Sequence, residues 1–253
     1  MNSRVPQGLA LLCWITASGA AAQSIDMKAY WPQPDAGTTL IVRFDVGRME
    51  FYRQAGTTYT LGDYWHRSGD TDVPATLIWS STWHYRVDRT GGVVEFRDDL
   101  PGSSKQAVAS STFAPGNEIS WGNVMRVGQT IDQKIAYVGH PAGDAFARHR
   151  LKFVAIFPTY QAGSRTFRNV IRLDDIQDIC KQGNGGAGSI NMPGPMRCPT
   201  ISTSSATYYL APGLGIIRIE NAILDGKPDF VKAETVVAIC TVSTISADAY
   251  CRP

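Results

Sequence analysis

The chain has 253 residues and a mass of 27.5 kDa, and 43% of its residues are hydrophobic. A chain of this length and composition can bury a substantial core, as one large or two small domains. Its formal net charge is only +2, and no run of basic residues occurs in it. These features exclude the basic surfaces that bind nucleic acid or anionic membranes, so we expect no nucleic-acid partner.

The first 22 residues have the pattern of a signal peptide. Arg4 supplies a positive charge, residues 9–17 (LALLCWITA) are apolar, and residues 20–22 (AAA) form a small-residue cleavage site. Cys13 raises the alternative of a lipoprotein, but the bulky Leu12 precedes it where lipid attachment needs a small residue. We therefore expect a cleaved leader and a soluble, periplasmic or secreted mature chain, since no later apolar run reaches the ~18–20 residues of a membrane helix.

From residue 23 onward, short segments rich in β-branched and aromatic residues alternate with turn residues. In Trp79–Val87 (WSSTWHYRV) apolar and polar residues alternate with a period of two, and Val93–Arg97 follows as its hairpin partner. The other predicted strands are 38–44, 49–53, 57–61, 120–127, 130–138, 149–157, 166–173, 207–210, 216–220 and 235–242. Because helical periodicity is almost absent, the pattern predicts a mainly β fold, a curved antiparallel sheet (half-barrel or open barrel) with few short helices.

A polar stretch, residues 98–117, lies between two groups of predicted strands. It contains Pro101, Gly102 and a run of small residues, which indicates a long loop or a linker. We therefore expect a single β-rich domain over residues 23–253, with the alternative of two halves that meet near 98–117.

Two short motifs near the ends of the mature chain resemble those of a set of exported bacterial proteins of unassigned function. The first is Tyr30-Trp31-Pro32 followed by Gly37, and the second is Tyr208-Tyr209 followed by residues 212–217 (PGLGII). Those proteins open with Y-[FW]-P-x-x-x-x-G, close with an aromatic–PGxG–aliphatic strand, and resemble the half-barrels of lipoprotein carriers. The resemblance implies a curved antiparallel sheet with an apolar concave face.

Loss of the leader leaves four cysteines, Cys180, Cys198, Cys240 and Cys251. An even number in an exported chain predicts two disulfides, and of three possible connectivities Cys180–Cys198 with Cys240–Cys251 closes the shortest loops. The alternative is free thiols or a metal site, but no pair has C-x-x-C spacing and no histidine lies among them.

The segment Lys181–Pro199 is rich in glycine and proline. Such a composition holds neither a helix nor a central strand. We expect a long surface loop, pinned at its base by the first disulfide, and a possible site for a protein partner.

No catalytic motif stands out. The chain has no G-x-S-x-G and no H-E-x-x-H, and its four histidines are scattered without the spacing of metal ligands. We expect no cofactor.

The acidic cluster Asp174, Asp175 and Asp178 is the sharpest polar constellation. On one helical turn, Asp174 and Asp178 would share a face and form a weak candidate cation site. The alternative, which we favour, is a solvated turn or short helix start leading into the Cys180 loop, with no metal.

The aromatic residues give the best candidate for a binding site. Trp65, Trp79, Trp83 and Tyr85 lie close together in the sequence, and Tyr208 and Tyr209 lie on the closing strand. Such residues line either a core or a concave pocket in which flat faces suit sugars or acyl chains.

These observations favour an exported protein that binds a hydrophobic or amphipathic ligand, lipid or glycan-like, in a concave sheet. One alternative is a hydrolase of envelope glycans or esters, in which His84, Asp98 or Glu118 would converge in the same cleft. Another is a disulfide-stabilised structural or interaction module.

Overall fold

The computed structural model describes residues 23–65, 79–101, 108–113, 118–138, 146–181, 200–228 and 233–243. These residues form one 3-10 helix, Met27–Ala29, and a succession of β-strands. The strands are β1 (Ser24–Asp26), β2 (Thr39–Phe44), β3 (Arg48–Ala55), β4 (Thr58–Trp65), β5 (Trp79–Val87), β6 (Val93–Pro101), β7 (Val108–Phe113), β8 (Ile119–Gly122), β9 (Val124–Arg126), β10 (Thr130–Val138), β11 (Phe146–Ala162), β12 (Arg165–Lys181), β13 (Thr200–Ala211), β14 (Gly215–Leu224), β15 (Lys227–Pro228) and β16 (Glu234–Val242).

Successive strands pair antiparallel into a nearly closed barrel. The order β2-β3-β4-β5-β6-β7-β10-β11-β12-β13-β14-β16 returns to β2, so each strand of this ring has a neighbour on both sides. Two seams are thin, since β7–β10 and β14–β16 each pair through two residue positions. β8 pairs with the first half of β6, and β1 and β9 form a small separate sheet. The predicted curved antiparallel sheet is confirmed, and it curls beyond a half-barrel.

One face of every ring strand points into the barrel. Paired residues in a sheet share a face, so the register can be followed around the ring, from Val42 opposite Glu50, through Tyr85 opposite Glu95, to Ile219 opposite Glu234. The large buried cluster lies on this inner face and includes Val42, Tyr85 and Ile219. A second, smaller cluster lies on the outer face of β2, β3 and β16, and consists of Ile41, Met49, Phe51 and Ala238.

The two ends of the barrel differ in their connections. At one end short turns join β3 to β4, β5 to β6, β11 to β12 and β13 to β14, and the chain before β2 also lies there. We call this the plugged end. At the other, the distal end, lie the strand termini that lead into residues 66–78, 102–107, 139–145 and 182–199, which are outside the described residues.

Two predictions about local structure are wrong over the residues that the structure describes. Residues 98–101 continue β6 and residues 108–113 form β7, and the two strands pair from Arg97 opposite Thr112 to Pro101 opposite Val108. These parts of the polar stretch are strands, not loop, because polar residues suit strands with an outer face in water. Residues 102–107 and 114–117 lie outside the described part of the chain. The cluster Asp174–Asp178 forms neither a helical turn nor a loop, since it lies within the 17-residue strand β12.

Candidate functional site

The N-terminal segment Met27–Pro32 seals the plugged end from inside. Met27, Tyr30 and Trp31 are all buried in the inner cluster. The Trp31 ring lies 5.2 Å from that of Tyr85, and the Tyr85 hydroxyl donates to the Pro32 carbonyl oxygen at 2.5 Å. The Tyr30 hydroxyl reaches across to the Asn169 carbonyl oxygen, at 2.8 Å. Aromatic packing and backbone hydrogen bonds together hold this segment as a plug.

The plug is also bonded to the turn between β13 and β14. The backbone N–H of Gly213 donates to the Ala29 carbonyl at 2.7 Å, and that of Gly215 donates to the Tyr30 carbonyl at 3.0 Å. A Cβ on Gly215 would lie 2.6 Å from the Tyr52 hydroxyl oxygen, so only glycine permits this approach. The Tyr-Trp-Pro and Pro-Gly-Leu-Gly motifs, far apart in the sequence, therefore meet in one structural unit.

Charged side chains on the inner face lie beyond the plug. Arg48 Nη2 lies 2.5 Å from Glu50 Oε1, and Arg48 Nη1 lies 2.8 Å from Glu234 Oε2. The Tyr52 hydroxyl donates to Glu50 Oε2 at 2.6 Å. Burial, and then the neighbouring Glu50 carboxylate, hold the pKa of Tyr52 well above its usual value. Since all three ionic side chains are at least nine-tenths buried, this network is a desolvated charge cluster.

A second polar group joins β10, β11 and β12. His149, which is fully buried, has Nε2 at 2.5 Å from Asp175 Oδ1 and Nδ1 at 2.8 Å from Gln133 Nε2. Gln133 Nε2 also donates to the Ser120 carbonyl oxygen at 3.3 Å. His149 is therefore held between Asp175 and Gln133, with a polar group facing each ring nitrogen.

Tyr208 and Trp121 lie between the two polar groups. The Trp121 ring lies 5.8 Å from that of His149 and 6.1 Å from that of Tyr208, edge-on in both cases. Burial raises the pKa of Tyr208, and the Asp175 carboxylate raises it further. Glu50 and Glu95 act in the same direction and Arg48 opposes them. These charges therefore act on a common space around Tyr208.

Part of the inner face remains accessible. Trp83, Gln177 and Ala206 are partly exposed, although inner-face neighbours nearer the plugged end, such as Tyr85 and Leu173, are buried. Tyr208 is partly exposed as well. The accessible part of the interior thus lies on the distal side.

Two indole groups have no hydrogen-bond partner. Trp31 and Trp121 are 4% and 7% exposed, their ring centroids are 4.9 Å apart, and neither Nε1 has an acceptor. A buried donor without a partner costs about 1–3 kcal/mol, so each is a place where a bound acceptor would gain free energy.

The structure separates the aromatic residues predicted to bind a ligand. Trp83 and Tyr208 lie on the inner face and border its accessible part. Tyr85 is buried against the plug instead, where it stacks on Tyr59. Tyr209 points to the outer face, stacks on Tyr160 at 4.8 Å and donates to Glu220. The side chains of Trp65 and Trp79 lie outside the described residues.

The acidic cluster is divided between the two faces of β12. Asp174 on the outer face bonds Arg172 and Thr207, and Asp178 on the same face bonds Arg150 and Thr203. Asp175 points inward to His149. In the described part of the chain no three His, Cys, Asp or Glu side chains group as metal ligands would.

The residues predicted for a hydrolase do not gather in the interior. His84 lies on the outer face against the Phe96 ring, and Glu118 pairs with Arg86 at 3.0 Å. The side chain of Asp98 lies outside the described residues.

Cys240 is disulfide-bonded. Cys198, Cys251 and the side chain of Cys180 lie outside the described residues. Of the predicted loop Lys181–Pro199, Lys181 ends β12 and residues 182–199 lie outside the described part, as does the predicted leader 1–22. The predicted connectivity therefore stays a prediction. No helix among the described residues is long and apolar enough to cross a membrane.

Sequence reasoning missed the polar interior. No sequence signal distinguishes Arg48, Glu50 and Glu234, because charged residues in a strand normally face water. His149 is one of four scattered histidines. A weak signal was present: Met49 and Phe51 alternate with Arg48, Glu50 and Tyr52, so one face of β3 had to carry the charges. Only the closure of the barrel places that face inside.

Comparisons with known proteins identify no family for this chain. No protein-family model and no curated protein matches the sequence. A protein from Bacteroides fragilis, described as exported and with a YmcC-like fold, is 10% identical to this chain and has a TM-score of 0.36. The match covers 84% of this chain and 99% of that protein. A protein from Parabacteroides distasonis, described as a lipoprotein, is 10% identical to this chain and has a TM-score of 0.31. This match covers 82% of this chain and 95% of that protein. Neither likeness assigns a function to this chain.

Proposed function

We propose that this protein is an exported ligand-binding protein that holds an amphipathic ligand inside its barrel, reached from the distal end. The observation that carries the proposal is the polar interior, in which Arg48, Glu50, His149 and Asp175 are buried around the partly exposed Tyr208. Buried ion pairs rarely stabilise a fold more than apolar residues of similar volume would. Their value here is in recognition of polar groups on a ligand.

The chemistry of the interior favours a glycan-like polar part over a plain acyl chain. Trp83, Trp121 and Tyr208 offer aromatic faces and edges against which a sugar ring can pack. Gln177 adds an amide with donors and acceptors, and the carboxylates accept from hydroxyl groups. Apolar inner residues beside them suit the less polar part of the same ligand.

Export is part of the proposal. Residues 1–22 have the features of a signal peptide, and the disulfide at Cys240 suits an oxidising compartment, periplasmic or extracellular. We propose one mature domain over residues 23–253, bridges Cys180–Cys198 and Cys240–Cys251, and the loop over 181–199 as the place where a protein partner would dock.

Native mass spectrometry of the mature, non-reduced protein from its own envelope fraction tests the binding function. We expect a co-purifying glycan or lipid mass on the wild-type chain and its loss from Trp83→Ala. His84→Ala is the matched control, since His84 is the next residue on the same strand and faces outward. A wild-type protein without ligand, or one whose loading survives Trp83→Ala, would contradict the proposal.

A further inference from the structure

We propose that the ligand group recognised beside Tyr208 and Trp121 carries a positive charge, that is, an ammonium group. This inference rests on the proposed binding function and names the chemistry of its ligand. It begins from the charges that the fold brings to the inner face.

The described inner face is acidic. It carries four carboxylates, Glu50, Glu95, Asp175 and Glu234, and one guanidinium, Arg48. Arg48 bonds two of the carboxylates, Glu50 and Glu234. Glu50, Glu95 and Glu234 make other contacts as well, so the inference depends on the excess of carboxylates over cations on this described face and on Asp175.

His149 does not reverse this balance. Even with its imidazole counted as a cation beside Arg48, the four carboxylates outnumber the cationic side chains of the described inner face. Asp175 Oδ1 lies 2.5 Å from His149 Nε2 but outside hydrogen-bond geometry, so it retains bonding capacity.

Aromatic rings lie beside these carboxylates. Tyr208 is partly exposed to the interior, and the Trp121 ring stands edge-on to it at 68°. Ammonium groups bind over aromatic faces next to carboxylates, through cation–π attraction and ion pairing. The unpaired Nε1 of Trp121, itself buried, would donate to an oxygen on the same ligand. A hydroxylated amine satisfies all of these groups at once.

Two sources of such a group, an amino sugar and an amine lipid headgroup, can be separated by titration. Tryptophan fluorescence and calorimetry of the mature protein would compare glucosamine with N-acetylglucosamine, and phosphoethanolamine with phosphoglycerol. We expect the amine of at least one pair to bind at least tenfold more tightly than the partner that lacks the ammonium group. The pair that shows the preference identifies the source.

Substitutions test whether inner-face carboxylates cause the preference for the amine. Glu95→Gln and Asp175→Asn should each reduce the preference for the amine at least fivefold, and Glu118→Gln, in an outer-face ion pair, should leave it unchanged. Two carboxylates are used because loss of the His149 contact could unfold Asp175→Asn, which circular dichroism would reveal.

Equal binding of the compounds with and without the ammonium group in both pairs, or binding of none of the four compounds, would overturn the inference. The binding function would stand in either case if the native protein carries a different co-purifying ligand.

Discussion

The two ends of the barrel differ in the side chains that the sheet presents to the interior. At the plugged end, turns are short, Trp31 and Tyr85 pack together, and the backbone of residues 29–32 is hydrogen-bonded to the wall. Toward the distal end, inner side chains are polar, and several stay partly exposed. The interior of this ring is wider than that of a small barrel, whose inner side chains fill it completely. The N-terminal segment fills one end of the remaining volume. We therefore attribute stability to the plugged end and the proposed ligand binding to the distal end.

Removal of the plug tryptophan is the strongest test of this division. Trp31→Ala should lower the free energy of unfolding by about 3–5 kcal/mol, because it empties a fully packed site. Trp83→Ala, at a partly exposed site, should cost about 1–2 kcal/mol. Urea unfolding followed by circular dichroism measures both, and similar losses for the two variants would contradict the division.

Removal of Arg48 tests the buried charge cluster. Arg48→Met leaves Glu50 and Glu234 without their shared cation and should destabilise the protein by about 3 kcal/mol at neutral pH. Arg148→Met breaks the exposed pair with Asp132 and should change stability by less than about 1 kcal/mol. The same denaturation assay applies, and a neutral Arg48→Met would show that the cluster is not held as charges.

Two glycines in one turn test how closely Gly215 packs against Tyr52 and Pro32. Gly215→Ala would place a Cβ 2.6 Å from the Tyr52 hydroxyl oxygen at a φ of +75°, and we expect a loss of about 3 kcal/mol. Gly213→Ala has a φ of +72° but nothing within 4 Å, so strain alone should cost about 1 kcal/mol. Equal melting temperatures for the two variants would mean that Gly215 is not packed tightly against Tyr52 and Pro32.

Alkaline pH should lower the stability of the fold because of its buried tyrosines. Burial raises the pKa of Tyr52, Tyr85 and Tyr208 in the folded state, and that of Tyr160 to about 12. An unfolded tyrosine loses its proton near pH 10, so the unfolded chain binds fewer protons above that pH and stability must fall. We expect the urea midpoint to be unaffected by these groups below pH 10 and to drop between pH 10 and 12. Tyr208→Phe should weaken this drop, and a flat profile would contradict it.

Local patterns sufficed to predict most strands. The alternation in β5 and the turn residues around Asp88 correctly placed the β5–β6 hairpin, because these signals are short-range. The sequence assignment failed at residues 98–101 and 108–113 and at the acidic cluster, since their polar residues form strands only where neighbouring strands accept them. Trp83 and Tyr208 were found as aromatic residues, yet nothing local distinguishes them from Tyr85 and Tyr209.

The sequence by itself determined the β-rich class and the predicted strand faces, since each depends on residue types and on periods of two to ten residues. It also predicted export from the leader. Tertiary structure alone decided that the ring closes, that residues 27–32 fill one end, and that Arg48, Glu50, His149 and Asp175 meet inside. The reason is physical: a strand has two faces, and which of them is buried depends on pairing between strands that lie far apart in the chain.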